Sequence, residues 1–260
     1  MPMGGDGATA WGIRQKQTGA DRLTLGGAVA ANIHGRGLAY APFVGDIEAI
    51  EVVLADGSLV TCDRNRHAEL FGLVVGGYGL FGVVTSVKLR LVPRQKVERV
   101  VELERVEHII DRFDERIAAG YLYGDFQFAI DEASRDYLQS GILSLYEPLD
   151  DEAEMPEAQK SLTLAEWGEL VQLAHSDKSR AFARYREHYL ATDGQCYWSD
   201  THQMGPYREN YHHRLNGPGQ PASEMITELY VEPELIPEFM SAARAILRTS
   251  ESTPVVYGTM

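Results

Sequence analysis

The sequence predicts an α+β fold built from two parts, in which strands and helices follow each other irregularly. Residues 47–62 have the pattern of a hairpin, and residues 83–91 alternate between apolar and polar side chains. Residues 106–118 and 235–248 repeat apolar side chains at helical spacing. A chain of 260 residues that is 44% hydrophobic can form one large or two modest cores.

The first part begins with small and polar residues that are typical of a loop, over residues 1–20. Thr24 is expected to cap a short helix that begins near Gly26 and ends at Gly35. Residues 47–54 and 58–62 predict two strands joined by a tight turn at Asp56 and Gly57.

A short helix follows over residues 68–75, and a half-buried strand over residues 83–91. Strict alternation would place one set of its side chains on one face: Val83, Thr85, Val87, Leu89 and Leu91. Pro93 ends this strand, and the character of the sequence changes after it. We therefore expect domains over residues 1–95 and 96–260.

In the second part the spacing of apolar side chains predicts four helices, over residues 106–118, 164–174, 179–190 and 235–248. Strands are predicted over residues 122–130 and 225–232, with another strand beginning at residue 253. Residues 150–157 form an acidic loop.

Composition excludes several classes of function. The formal net charge of −14 disfavours binding to nucleic acids and anionic membranes, whose phosphates require Lys and Arg. No run of 18 apolar residues and no Sec-type signal is present, and Cys62 and Cys196 are the only cysteines. Because two distant thiols form neither a metal cluster nor a disulfide framework, we expect a reducing, cytoplasmic compartment and no metal site.

Two glycine-rich segments, residues 25–37 and 75–84, are the candidate binding elements. Glycines allow backbone N–H groups to come close to a ligand, and such a surface suits an anion or a flat cofactor that carries phosphates. The alternative is purely structural: a tight turn under a neighbouring strand, and a small-residue helix packed on a sheet.

The glycines at positions 77, 79 and 82 match the G-x-G-x-x-G string of dinucleotide-binding proteins. In a Rossmann unit these glycines open a helix, whereas here they precede the alternating strand at residues 83–91. The Rossmann interpretation, and with it NAD, is therefore rejected. His34 either donates a hydrogen bond to a cofactor or caps the carbonyls at the end of the predicted helix.

Four linked motifs resemble the FAD-linked oxidases of the vanillyl-alcohol oxidase class, which have a PCMH-type FAD-binding domain. They are Gly-Gly-Ala-Val-Ala-Ala-Asn-Ile-His-Gly over residues 26–35, Ala-Asp-Gly-Ser over 55–58, Ala-Glu-Leu-Phe over 68–71, and Gly-Gly-Tyr-Gly-Leu-Phe-Gly-Val-Val-Thr over 76–85. They are similar to segments of its alditol, gulonolactone and decaprenylphosphoryl-ribose oxidase members. The resemblance covers residues 23–93.

The resemblance implies that the first part is the second subdomain of the FAD-binding domain, followed by a partial α+β substrate (cap) domain. It implies non-covalent FAD, bound by a set of residues in both glycine-rich segments: Gly26, Gly27, Ala28, Ala31, Ile33, His34, Gly35, Gly77, Tyr78, Gly79 and Val84. A pyrophosphate loop of the Arg-Gly-Gly-Gly-His-Ser kind is absent from residues 1–19, and the closing segment of the class is absent as well. We therefore expect a chain shortened at both ends, with weak affinity for FAD.

Residues 226–233, Ile-Thr-Glu-Leu-Tyr-Val-Glu-Pro, are similar to a cap strand that carries substrate-facing residues. Alternation places Glu228 and Tyr230 on one face, so they are the candidate catalytic residues. The alternative is a solvated edge. Residues 197–202 and 211–214, rich in aromatic residues and His, predict either a polar pocket wall or partner interface, or a surface loop.

The implied function is oxidation of an alcohol carbon in a sugar-like or polyol-like substrate, with hydride transfer to the flavin and proton transfer to a base. Two alternatives stay open. The chain is either a non-catalytic remnant, or a subunit that needs a partner chain to supply the missing FAD subdomain.

Overall fold

A computed structural model describes residues 11–15, 23–157, 159–201 and 228–249. Its helices and antiparallel sheets confirm the α+β class. Several predicted features lie outside the described residues, in whole or in part: the loop over residues 1–20, the segment 211–214, and the strands at 225–232 and 253–260. No helix in the described ranges is long and apolar enough to cross a membrane.

The chain divides into two compact units. Among the described residues, the first unit contains residues 11–15, 23–96 and 197–201. The second contains residues 97–157, 159–196 and 228–249. The functions expected for the two parts of the chain stay predictions.

The first unit is built on a three-stranded antiparallel sheet of order β3-β2-β4, and it also contains a small antiparallel pair, β1-β5. Its elements are β1 (Trp11–Gly12), α1 (Leu25–Ala30), a 3-10 helix (Phe43–Asp46), β2 (Ile47–Val53), β3 (Leu59–Cys62), α2 (Ala68–Val74), β4 (Val83–Leu89) and β5 (Val92–Pro93). The predicted hairpin and short helix are therefore confirmed.

The hairpin turn is held by Asp56, whose carboxylate accepts hydrogen bonds from the backbone N–H of Ser58 at 2.9 Å and from its hydroxyl at 2.6 Å. The strands that it joins contribute to one apolar core under α1 and α2. That core consists of Ala28, Val29, Phe43, Ile47, Ile50, Val52, Cys62, Phe71 and Val74.

Helix α1 is shorter than the sequence predicts. Thr24 caps it as expected, because its hydroxyl accepts a hydrogen bond from the N–H of Gly27 at 3.0 Å. The helix ends at Ala30, however, and Gly35 plays no part in ending it. Asn32 takes the left-handed conformation instead, with φ 44°, and so stops the helix five residues earlier than expected.

The predicted alternation of β4 is wrong at its centre. Ser86 pairs with Glu51 and Val84 pairs with Val52, so Thr85 is an extra residue in a β-bulge. The bulge shifts the phase of the strand. As a result Val84 packs against the core together with Val87 and Leu89, while Val83 is 67% exposed.

A four-stranded sheet has the order β7-β8-β6-β9, and all of its residues except Lys96 and residues 197–198 belong to the second unit. The elements from β6 onward are β6 (Lys96–Arg105), α3 (Val106–Ala118), β7 (Tyr123–Phe128), β8 (Ser140–Pro148), α4 (Leu164–Ser176), α5 (Lys178–Leu190), β9 (Cys196–Trp198), a 3-10 helix (Pro233–Leu235) and α6 (Ile236–Thr249). The four predicted helices are confirmed. Strands β6 and β8, the two longest of the described strands, were not predicted.

One face of this sheet buries an arginine. Arg99 of β6 is only 6% exposed, and its guanidinium donates two hydrogen bonds to the hydroxyl of Tyr146, at 2.9 and 2.7 Å, and one to that of Thr192, at 2.8 Å. It also lies over the rings of Tyr146 and Tyr189, 5.3 and 5.1 Å from their centroids. Arg99 thus joins β6, β8 and the end of α5.

The opposite face packs against α3. Arg112 forms an ion pair with Glu104 of β6 at 3.2 Å, and Arg116 hydrogen-bonds to Glu102. Beneath them the apolar side chains of Phe126, Leu143 and Leu145 are fully buried. Helix α3 is therefore held on the sheet by buried apolar side chains and by ion pairs between its arginines and the glutamates of β6.

Two carboxylates face each other across this sheet, since Glu98 of β6 is directly opposite Glu147 of β8. Burial, followed by the negative charges of Glu147 and Asp193, raises the pKa of Glu98. A group whose pKa is raised by folding stabilises the protein below its unfolded-state pKa, and this stabilisation is lost as the pH rises through the folded-state pKa.

Glu98→Gln should therefore increase the free energy of unfolding at about pH 7, and the gain should shrink towards about pH 4. Urea unfolding at several pH values measures this difference.

Glu48→Gln is the control of opposite sign. A hydrogen bond from Lys88, whose Nζ lies 2.9 Å from Glu48, lowers the pKa of Glu48. Its stabilisation is present above the unfolded-state pKa and is lost on acidification. This variant should be destabilised at neutral pH and should match the wild type in acid. The same sign for both variants would contradict the raised pKa assigned to Glu98.

Candidate functional site

The two glycine-rich segments are joined directly by backbone hydrogen bonds in the first unit. The N–H of Gly76 donates to the carbonyl of Val29 at 3.0 Å, and the N–H of Tyr78 donates to the carbonyl of Ala30 at 2.9 Å. Carbonyls at a helix C-terminus need partners from outside the helix. The second segment supplies them, so both segments meet at the C-terminal end of α1.

Asn32 fixes this junction, although the sequence analysis did not select it. It holds the left-handed position after α1, and the next N–H, that of Ile33, returns to the carbonyl of Ala28 at 3.2 Å. Its side-chain carbonyl accepts the N–H of Val44 at 3.0 Å. The sequence signal for this role is an Asn that follows a run of small helical residues. Asn tolerates φ > 0 better than most residues, so it can end a helix in the left-handed conformation.

The second segment makes a tight turn whose glycines have different roles. A Cβ at Gly77 would lie 2.0 Å from the carbonyl oxygen of Leu73, so this glycine is required for close packing. Gly79 has φ +79°, and nothing lies within 4 Å of a Cβ built there. Between them, Tyr78 has φ 50° and is 79% exposed. Gly77 thus belongs to the fold, while Tyr78 and Gly79 face open space.

The predicted cofactor-binding residues fall into two groups by exposure. Those open to solvent are Gly27, Ala31, His34, Tyr78 and Gly79, with Gly26, Gly35 and Gly77 partly exposed. The side chains of Ala28, Ile33 and Val84 instead pack in or against the apolar core. Ala28 is buried, whereas Ile33 and Val84 are partly buried, so the core takes up most or part of these three side chains.

His34 lies four residues beyond the end of α1, and both expectations for it stay predictions. The helix ends at Ala30, and the imidazole Nδ1 lies 3.3 Å from the carbonyl oxygen of Gly35. The side chain is exposed, so its ring is accessible from solvent.

Neither glycine-rich segment contributes a charged side chain to the surface at the junction. Residues 23–35 and 75–84 contain no Asp, Glu, Lys or Arg in a chain whose net charge is −14. Because like charges repel, this gap in an acidic surface removes an obstacle to an anionic ligand. Exposed apolar side chains lie in both segments, including Leu25 at 44%, Leu80 at 83% and Val83 at 67%.

The candidate catalytic residues belong to the second unit, and the structure shows no strand over residues 228–232. The predicted strand is therefore absent in the part that is described. Both side chains are exposed, and the hydroxyl of Tyr230 donates to Oε2 of Glu228 at 3.3 Å. Their catalytic role stays a prediction.

In the first unit, two residues of the aromatic segment, Trp198 and Asp200, contact the side chain of Arg94. Nε of Arg94 lies 2.8 Å from Oδ1 of Asp200, and its guanidinium lies 4.6 Å from the centroid of the Trp198 ring. Among the described residues, no group of three or more His, Cys, Asp or Glu side chains could hold a metal ion.

Similar proteins are found for a short part of the chain, although no family model matches it. Cytokinin dehydrogenase 7 of Oryza sativa subsp. japonica is 34% identical over 83 residues, which is 32% of this chain and 16% of the relative. Cytokinin dehydrogenase 1 of Arabidopsis thaliana is 38% identical over 72 residues, 27% of this chain and 12% of the relative. Cytokinin dehydrogenase 3 of Oryza sativa subsp. japonica is 39% identical over 70 residues, 26% of this chain and 13% of the relative.

The matched part of the chain thus spans only 12% to 16% of the length of these curated relatives. They support the resemblance to FAD-linked oxidases, but they do not support the alditol, gulonolactone or decaprenylphosphoryl-ribose oxidases in particular.

The two glycines of the turn should respond differently to substitution. Gly77→Ala places a methyl group against the Leu73 carbonyl and the Phe81 ring, so we expect a loss of about 3 kcal/mol in the free energy of unfolding. Gly79→Ala meets no atom and should lose only about 1 kcal/mol for its left-handed φ. Urea unfolding of both variants tests this order, and equal losses would contradict the distinct roles given to the two glycines.

Proposed function

We propose that this chain is part of an FAD-dependent oxidoreductase, and that the surface where the two glycine-rich segments meet binds the cofactor without a covalent bond. The observation that carries the proposal is the pair of hydrogen bonds from Gly76 and Tyr78 to the end of α1. They bring together two segments, separated by residues 38–74, that each resemble a flavin-binding motif. The cytokinin dehydrogenase matches support FAD as the cofactor.

The residues at this surface fit such a ligand. The open space over Gly79 leaves room for a close approach to the backbone, and the lack of carboxylates in both segments suits phosphates. Exposed apolar side chains beside them suit a flat ring system. Gly27, Ala31, His34, Tyr78 and Gly79 are the exposed residues that would hold FAD.

FAD supplies the acceptor for a hydride from the substrate carbon. The protein must supply a base for the proton that leaves with it. Glu228 is our candidate, with Tyr230 as the hydrogen-bond donor that positions it or a substrate hydroxyl. The substrate proposed from the sequence motifs is an alcohol carbon of a sugar-like or polyol-like molecule.

A cytokinin is the second candidate substrate, because the relatives found here are named for dehydrogenation of cytokinins and not of sugars or polyols. A third possibility is a chain that binds FAD only with a partner chain, or that binds it without catalysis. Reduction of bound flavin by a polyol, by a cytokinin or by neither separates these cases.

Titration of the purified chain with FAD tests the cofactor. Binding should be non-covalent, with a change in the visible flavin spectrum that His34→Ala alters, because the exposed imidazole would border the flavin. The variant should lose no more than about 1 kcal/mol of stability, as is typical of one hydrogen bond. His108→Ala, an exposed histidine on α3, is the control and should leave the spectrum unchanged. A lack of FAD binding by the wild type at saturating concentrations would refute binding of FAD by this chain alone and would favour the alternative in which a partner chain is required.

Stopped-flow reduction of bound flavin tests the base. Glu228→Gln should slow reduction by about 100-fold while FAD stays bound, since the amide cannot accept the proton. Glu232→Gln, a nearby exposed carboxylate, should have little effect. Equal and small effects of the two substitutions would exclude a catalytic role for Glu228.

A further inference from the structure

We propose that the ring of Tyr78 is a stacking platform for a heteroaromatic ring of FAD, displayed by a backbone that is strained for that purpose. The inference rests on the proposed function, because it assumes FAD at the junction of the two glycine-rich segments. It adds a specific role for one side chain, which the resemblance of the motifs does not provide.

The first observation is the backbone of Tyr78. Its φ of 50° is unfavourable for a bulky L-residue, in a turn where the next residue is a glycine with φ +79°. A glycine at position 78 would adopt the same conformation without strain. The N–H of Tyr78 is bound to the carbonyl of Ala30 at 2.9 Å, so the left-handed conformation is held in place.

The second observation is that the ring gains little from its own chain. Tyr78 is 79% exposed, so the apolar burial that normally compensates for an unfavourable backbone is largely missing. Strained, exposed residues of this kind are concentrated at ligand-binding sites. A ligand that covers the ring would supply the missing contact.

The third observation concerns the neighbourhood. No atom lies within 4 Å of a Cβ built at Gly79, and Leu80 is 83% exposed, so both neighbours on the C-terminal side of Tyr78 are open to solvent. The segment of residues 75–84 contains no charged side chain. Aromatic side chains bind flat heterocycles by stacking, which is worth about 1–3 kcal/mol for each nucleic acid base. A flat ring of FAD matches this chemistry.

The test compares four proteins by calorimetric titration with FAD and by thermal unfolding without FAD. Tyr78→Gly should weaken FAD binding by about tenfold or more. Without FAD, its unfolding midpoint should be no lower than that of the wild type, because the strain is relieved. Tyr78→Phe should keep the wild-type affinity, since it keeps the ring. Leu59→Ala, which removes an exposed apolar side chain from β3, should change neither quantity.

The results separate the stacking role of Tyr78 from the proposed binding of FAD. If the wild type binds FAD and Tyr78→Gly binds it equally well, the stacking role is wrong and the proposed function stands. If Tyr78→Gly unfolds at a clearly lower temperature than the wild type, the ring has a structural role and the inference is overturned. If the wild type itself fails to bind FAD, binding of FAD by this chain alone is refuted together with this inference.

Discussion

The first unit depends on the way in which the C-terminal carbonyls of α1 are satisfied. A helix of six residues cannot provide internal partners for most of its polar groups. The N–H groups of Gly76 and Tyr78 provide partners for two of these carbonyls. Asn32, in the left-handed conformation, turns the chain after the helix. The requirement to pair buried backbone groups therefore brings the two glycine-rich segments together, and every candidate cofactor contact in the first unit follows from that junction.

Much of this arrangement was predictable because it is encoded locally. Asp56 and Gly57 specify a turn through their own side-chain and backbone preferences, and Thr24 specifies a helix start. The four helices of the second unit follow from apolar residues spaced to cover one face. The exposed members of the candidate site, such as His34 and Gly79, were selected because their segments resemble flavin-binding motifs, and their role stays a prediction.

The features that sequence reasoning missed depend on tertiary contacts. Strand β8 is buried on both faces over residues 141–146, and a continuous buried run has no period to distinguish it from a helix. In β6 the alternation is masked by Arg99, which occupies an inward position as a buried polar residue. The bulge at Thr85 arises from the pairing of β4 with β2. The sequence of β4 alone therefore does not indicate that Val84, and not Val83, faces the core. Asn32 likewise acts through a partner, Val44, that is distant in sequence.

The buried guanidinium of Arg99 has a consequence for how the second unit opens. It binds Tyr146 of β8 and Thr192 just beyond α5, so detaching α5 alone would leave a cation in an apolar interior with lost partners. Partial opening at this position is therefore penalised more than its apolar contacts alone would require. The amide protons of β6 and β8 around Arg99 should behave as one cooperative group in hydrogen exchange, with protection close to that of global unfolding of the unit. An element that exchanges as a block in this way makes a rigid base for any site built upon it.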